Sequence, residues 1–286
     1  MKLPETDFDR ERQWWDSKAA KEETDSADET INRALRWREI ERHLDGVKSI
    51  LDVGGATGAF SIPLAKRGFQ VVHLDLSPEM LSIAREKAGG VPNIEFAEGK
   101  ASDLSQFSDR AFDLVLNMDG AISFSGTKAF PAIQETCRVA AKMVIVTVSH
   151  RAQMAASWVS GSLARTGRIA PAARAMIDRG EWHQDQFPGN ELLTAGLTQN
   201  YMGALKAFLP GELTGILEAE GMQVLRCGGL GSLASLCDRE MVAGVSKDGD
   251  LLHAFLDACE RFDAEILPCG PGTRLRAGLI AVARRP

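Results

Sequence analysis

The sequence predicts an α/β protein built on a seven-stranded, mostly parallel sheet, and three observations lead there. Apolar runs of four to six residues recur at 49–53, 70–74, 93–96, 112–116, 143–148, 222–225 and 278–282, short enough to be buried strands and too short to be core helices. Helix signals separate most of them. From 49 to 148 strand and helix alternate, the pattern that winds right-handed crossovers over both faces of a parallel sheet.

The elements follow in order. Residues 1–45 are rich in charge and contain Trp14, Trp15 and Trp37; they read as a helical substrate-side addition, a lid if they follow the family pattern described below, with indoles that simply staple the segment to the domain as the bland reading. Residues 46–150 form the core. Its clearest helix begins at Ser77-Pro78-Glu79, where the serine hydroxyl can accept from first-turn amides and proline is pre-set for the first helical position. Met80, Leu81 and Ala84 follow at helical spacing. Residues 151–207 intervene between two strands and are too long for an ordinary connection, so they read as a substrate-side insertion of helix and loop. Residues 208–286 complete the sheet, with a helix bracketed by Pro210 and Gly221. No repeat or Gly/Ser/Pro linker divides the chain further.

Composition narrows the function. The chain has 286 residues, 44% of them hydrophobic and 25% charged, with a formal net charge of -6. That balance disfavours a surface for phosphate backbones, so no nucleic-acid partner is expected. The first 16 residues carry no apolar leader core and the 143–148 run is far too short to span a bilayer, so a cytoplasmic chain without a membrane partner is expected. Five cysteines, at 137, 227, 237, 259 and 269, include no C-x-x-C pair; they read as reduced, buried thiols, and no metal site is expected.

The most informative stretch is Ile50-Leu51-Asp52-Val53-Gly54-Gly55-Ala56-Thr57-Gly58, a buried strand running into a glycine-rich turn that opens a helix. A dinucleotide fingerprint would need glycine at 54, 56 and 59, and two of those are alanine. What remains is D-x-G-x-x-x-G, with Asp75 closing the next strand. This pair of features resembles the class I S-adenosylmethionine (SAM) dependent methyltransferases, over about 50–148 and with weaker support from the last two strands. The resemblance implies a doubly wound, Rossmann-like sheet and SAM as cofactor. It implies that Asp52, Gly54, Gly55, Ala56, Thr57 and Gly58 pack on the methionine and ribose, and that Asp75, with Leu76 beside it, takes both ribose hydroxyls. A carboxylate has the acceptor capacity for two such donors.

Two positions depart from the family pattern. Ala56 stands where the middle glycine is usual, and Lys100 stands where an acid commonly meets the adenine amino group. A lysine cannot accept a hydrogen bond, so adenine recognition is expected to move to Ala101, Ser102 and Asp103. The fourth strand ends in Asn117-Met118-Asp119, which the resemblance places at the methionine end of the cofactor and the reacting methyl. These three are expected to hold the ammonium or the acceptor, with a turn-capping role as the bland reading of Asn117 and Asp119.

The donor's methyl is already activated, so the protein mainly aligns an acceptor and, where that acceptor is protonated, supplies a base. The candidates are His150 after the fifth strand, His183 and Tyr201 in the insertion, and Asp119. His183 lies in Glu181-Trp182-His183-Gln184-Asp185-Gln186-Phe187-Pro188-Gly189-Asn190, whose mixture of aromatics, donors and acceptors suits a pocket wall. His43, His73 and His253 read as surface or core residues. Arg151, Arg165, Arg168, Arg174 and Arg179 face only Asp178 over 151–180; an anionic acceptor is one reading and solvated helix faces the other. The expected function is methyl transfer from SAM to a small molecule. The alternatives are another reaction of SAM, such as an internal displacement giving methylthioadenosine, and a SAM-binding module without catalysis. A nucleic-acid methyltransferase fits least, since no N-P-P-Y-type tetrapeptide follows the fourth strand.

Overall fold

Asp7 opens the first helix by accepting from the Arg10 amide at 3.2 Å, so α1 (Phe8–Asp16) starts on a side-chain cap. Ser26 does the same for α2 (Ala27–Glu41), which turns Ile31, Leu35 and Ile40 onto the sheet. The computed structural model describes residues 4–22, 26–118, 120–183, 203–270, 272 and 278–286. The core then runs β1 (Ser49–Val53), α3 (Ser61–Lys66), β2 (Gln70–Asp75), α4 (Pro78–Ala88), β3 (Ile94–Glu98), β4 (Phe112–Asn117), α5 (Ala121–Phe124), α6 (Ala129–Val139) and β5 (Ala140–Val148). The insertion gives α7 (Arg151–Thr166), α8 (Pro171–Arg179), β6 (Glu181–His183) and β7 (Ala204–Lys206). The remainder is α9 (Pro210–Ala219), β8 (Gln223–Gly229), α10 (Ser232–Leu236), α11 (Arg239–Val245), α12 (Gly249–Arg261) and β9 (Leu279–Arg284).

The large sheet has seven strands in the order β3-β2-β1-β4-β5-β9-β8. β1 to β5 pair in parallel, and β9 runs antiparallel to both β5 and β8. Leu51 of β1 stands opposite Val72 on one side and Val115 on the other, both faces of the strand being covered by helices. The chain leaves β1 for β2 on one side and reaches β4 on the other, so strand order reverses between β1 and β4. In open α/β sheets that reversal leaves a crevice beyond the strands' carboxyl ends, where ligands bind.

β6 and β7 pair antiparallel in a separate two-stranded ribbon. A third apolar cluster fastens this insertion to the N-terminal helix, with Trp14 and Phe124 packed among Met154, Met176, Trp182 and Leu205. The two excursions from the core thus share one core of their own. The expectation of buried thiols is corrected in part. Cys137 and Cys259 are buried, Cys227 and Cys237 half-buried, and Cys269 is exposed because it lies in the turn that leads toward β9. Among the described residues no helix is long and apolar enough to cross a membrane.

Candidate active site

The turn after β1 is tied to β2 before it reaches any ligand. The amides of Gly54 and Gly55 both donate to the Leu74 carbonyl, at 2.8 and 3.1 Å. Gly54 sits at φ +69, and a Cβ there would come within 2.6 Å of the Ala121 Cβ across the crevice. A Cβ on Gly55 would fall 2.5 Å from the His73 ring and 2.9 Å from an Asp52 carboxylate oxygen. Both positions therefore demand glycine, one for conformation and closeness and the other for closeness alone. Ala56 takes the left-handed conformation too, at φ +49, in spite of its methyl.

Asp75 closes β2 beneath that turn. Its two oxygens accept separate backbone amides, Ala56 at 2.9 Å and Ser77 at 2.9 Å. Burial pushes this carboxyl up to about 6, with the two amides working against the rise. Each carboxylate oxygen keeps a further lone pair, so the group is held in place with acceptor capacity to spare. Ser77 caps α4 by accepting from Met80 at 3.1 Å, and its hydroxyl donates to Asp16 at the end of α1 at 2.5 Å. Behind the turn lies a buried polar cluster. The His73 ring shares a hydrogen bond of 2.7 Å with Ser61, and burial lowers it to about 4, so it is neutral. Asp52 is fully buried and is pushed up to about 7, first by burial and then by the nearby charge of Asp75.

Gly54, Ala56 and Asp75 form the floor of a cavity that opens to solvent. Gly54, Ala56, Asp75, Leu76, Gly99, Lys100 and Ala101 line its base, and Ala121, Phe124 and Ser125 line the wall beyond β4. Phe8, Glu11, Trp15 and Glu22 close it from the N-terminal segment. A smaller cleft adjoins it past the turn, lined by Arg33, Asp52, Gly55, Thr57, Phe60 and Met118 among others. An adenosine would find apolar faces at Leu76, Met80 and Ala101 and a carboxylate for its sugar; an amino-acid tail reaching past Gly54 would meet the Arg33 side.

Of the residues singled out from sequence, Asp52, Gly54, Gly55, Ala56, Thr57, Asp75, Leu76, Ala101 and Met118 line one cleft or the other. Gly58 lies deeper, its φ of +88 turning the chain toward α3. Ser102 is half-buried and outside both linings. Asp103 lines a shallow outer groove with Lys100, and its carboxylate accepts from the Ser105 hydroxyl at 2.7 Å and the Ser105 amide at 3.3 Å, which holds it below its usual range.

Three expectations are corrected. Asn117 is fully buried and donates from Nδ2 to the Thr136 hydroxyl at 3.2 Å, so it faces α6 instead of the crevice. His150 caps α7, its Nδ1 accepting from the Ala152 amide at 3.1 Å while Nε2 meets the Cys269 carbonyl at 3.2 Å. His183 is buried in β6 opposite Ala204 and is not among the residues of either lining. Asp119, Tyr201 and the segment 184–202 lie outside the described residues. The arginines of 151–180 do not contribute to either lining among the described residues, and Arg151 donates to the Ile177 carbonyl at 2.6 Å on the surface.

Of the lid residues, Trp15 was singled out from sequence, whereas Phe8, Glu11 and Glu22 were not. Phe8, Glu11 and Trp15 stand at i, i+3 and i+7 on α1, one helical stripe. The signal was present in the spacing. It is inconspicuous because a carboxylate interrupts the apolar pair.

A methyltransferase-domain family model matches residues 50–142. Demethylmenaquinone methyltransferase of Chlorobaculum tepidum is 43% identical over 86 residues, which are 29% of this chain and 34% of that protein. The tRNA 5-carboxymethoxyuridine methyltransferase of Escherichia coli is 31% identical over 93 residues, 30% of this chain and 36% of its own length. The chain thus spans about a third of the length of these curated relatives. Among solved structures, magnesium protoporphyrin IX methyltransferase of Synechocystis PCC 6803 with bound S-adenosylhomocysteine (SAH) shares the fold, with a TM-score of 0.54, 16% identity, and coverage of 98% of this chain and 100% of that one. The fold is shared with a solved magnesium protoporphyrin IX methyltransferase, and the match to the methyltransferase-domain family lies within its sheet, over residues 50–142.

Proposed function

We propose that the protein transfers a methyl group from SAM to a small molecule with a flat, apolar framework. The observation that carries this reading is the construction of one cavity from two parts. Its base presents Asp75, fixed by the Ala56 and Ser77 amides, and its cover presents Phe8, Trp15 and, from the far wall, Phe124. Bound there, SAM would supply a methyl group on a sulfonium, an electrophile that needs no further activation. Asp75 would accept from the ribose hydroxyls, Leu76 and Ala101 would flank the adenine, and Arg33 would face the carboxylate of the methionine tail. The aromatic cover would exclude water and offer ring faces to a planar acceptor.

Two features favour a small acceptor over a polynucleotide. The cavity is roofed by a helix, and the chain carries a formal charge of -6. The binding half of the reading is tested by calorimetric titration with SAM and SAH on the wild type and on Asp75→Ala. Micromolar affinity in the wild type and a loss of roughly 10- to 150-fold in the variant are expected, the equivalent of about 1.5–3 kcal/mol for hydrogen bonds to a charged acceptor. Absence of binding to either ligand in the wild type would sink the reading.

A further inference from the structure

Glu11 lies on the inner face of α1 and is 1% exposed. Its Oε1 accepts from the Ala204 amide at 3.0 Å, while Oε2 is buried with no hydrogen-bond partner among the described residues. Asp75, at the base of the same cavity, has an amide on each oxygen. The two acids therefore differ in what they leave open: Asp75 is fully oriented, and Glu11 lacks a donor for one oxygen.

Its place in the cavity is fixed by its neighbours. Ala204 packs against Gly126, where a Cβ would lie 2.3 Å from the Ala204 Cβ, and the 125–127 turn in turn holds Thr6 through the Ser125 carbonyl at 2.7 Å. Glu11 thus belongs to the end of the cavity beyond β4, with Phe124 and Ser125, opposite the end formed by Leu76 and Lys100. That is the acceptor end on the reading given above, on which this inference rests.

We propose that Glu11 is the general base of this site and that the acceptor is an acidic hydroxyl, phenolic or enolic, on a flat apolar framework. The acceptor's O–H proton passes to Glu11 Oε2, the oxygen's electron pair forms the new O–CH3 bond, and the pair of the broken S–CH3 bond stays on sulfur. The cationic methyl donor, neutral acceptor and anionic carboxylate become a neutral thioether, a neutral ether and a neutral carboxylic acid. Among heteroatom acceptors, the class follows from what needs a base. A neutral amine can attack before it loses a proton, and a thiol ionises by itself near pH 8.5, whereas a phenol ionises near 10.

Burial pushes Glu11 up to about 8, with the Ala204 amide and Arg10 opposing and Asp7 adding to the rise. Glu22, Asp75 and Lys100 line the same cavity, and Lys206 of β7 is turned onto Glu212 at 2.8 Å and Glu181 at 3.6 Å. A base in this range is matched to phenolic hydroxyls, and a sulfonium entering the cavity favours its ionised form.

The test counts protons as well as turnover. The full chain is titrated with SAM and with SAH near pH 7 in buffers of different ionisation enthalpy. SAM is expected to release about one proton that SAH does not, and Glu11→Gln to abolish the difference while binding SAH normally. Turnover is then followed with 2-naphthol, 2-naphthylamine and 2-naphthalenethiol, one ring carrying three acceptor atoms. Methylation of the naphthol, a kcat about 100-fold lower in Glu11→Gln, and partial recovery in Glu11→Asp are expected. Equal proton release for SAM and SAH, release that persists in Glu11→Gln, or preference for the amine or thiol would overturn the assignment while leaving the SAM site intact. Failure of both ligands to bind would instead remove the reading beneath it.

Discussion

The amide of Ala56 donates to Asp75 Oδ2 at 2.9 Å from a backbone held at φ +49. An L-residue is thus kept in the left-handed region by the hydrogen bond that orients the acid beneath it. The usual cost of that conformation is about 1–2 kcal/mol, and glycine would avoid it while adding about 0.4–1 kcal/mol of unfolded-state entropy. Ala56→Gly is therefore expected to stabilise the fold by up to about 1 kcal/mol. A higher urea midpoint at unchanged slope is the expected result; a lower midpoint would show that the methyl contributes packing.

His150 is placed for structure. Removing its ring takes away the α7 cap and the link to the Cys269 carbonyl. His150→Ala is expected to cost about 1–2 kcal/mol, read as a lower melting temperature. SAH affinity is expected to stay within twofold, because the ring lines neither cleft. A selective loss of SAH affinity without loss of stability would return His150 to the site.

Acid should favour the ligand-free fold more than base does. Glu11, Asp52 and Asp75 are raised to about 8, 7 and 6, so the native state holds protons that the unfolded chain has already released. Their stabilisation is fully present below the ordinary carboxylate range and is lost as pH rises through these values. Melting temperature is expected to fall between pH 5 and 8.5, and to fall less steeply in Glu11→Gln. Parallel curves for the two proteins would contradict the assigned ionisation of Glu11.

The sheet was legible because its signals are local. The strand lengths, the Ser77-Pro78 cap and the D-x-G-x-x-x-G turn each announce themselves within ten residues, and the structure has strands at each of the seven predicted runs. The base of the cavity was legible for the same reason, since Asp52 to Gly58 and Asp75 lie in adjacent strand ends. Asn117 and His150 could not be resolved in this way. One closes a core strand and the other caps the helix just after one, but the first side chain turns to Thr136 and the second back onto its own helix, and the end of a strand does not declare which way the next side chains point. Glu11 was invisible for a further reason: its partner amide at Ala204 is 193 residues away.

Ser77 serves the floor and the cover at once, with its amide on Asp75 and its hydroxyl on Asp16. Occupancy of the sugar site and closure of residues 8–16 are thereby coupled through a single residue. Thermodynamic reciprocity then makes the helix behave as a second ligand: whatever free energy SAM contributes to holding it down, the helix returns as affinity for SAM. Slowed amide exchange along α1 on cofactor binding, and faster cofactor escape when Asp16 is replaced, are two readings of that one coupling.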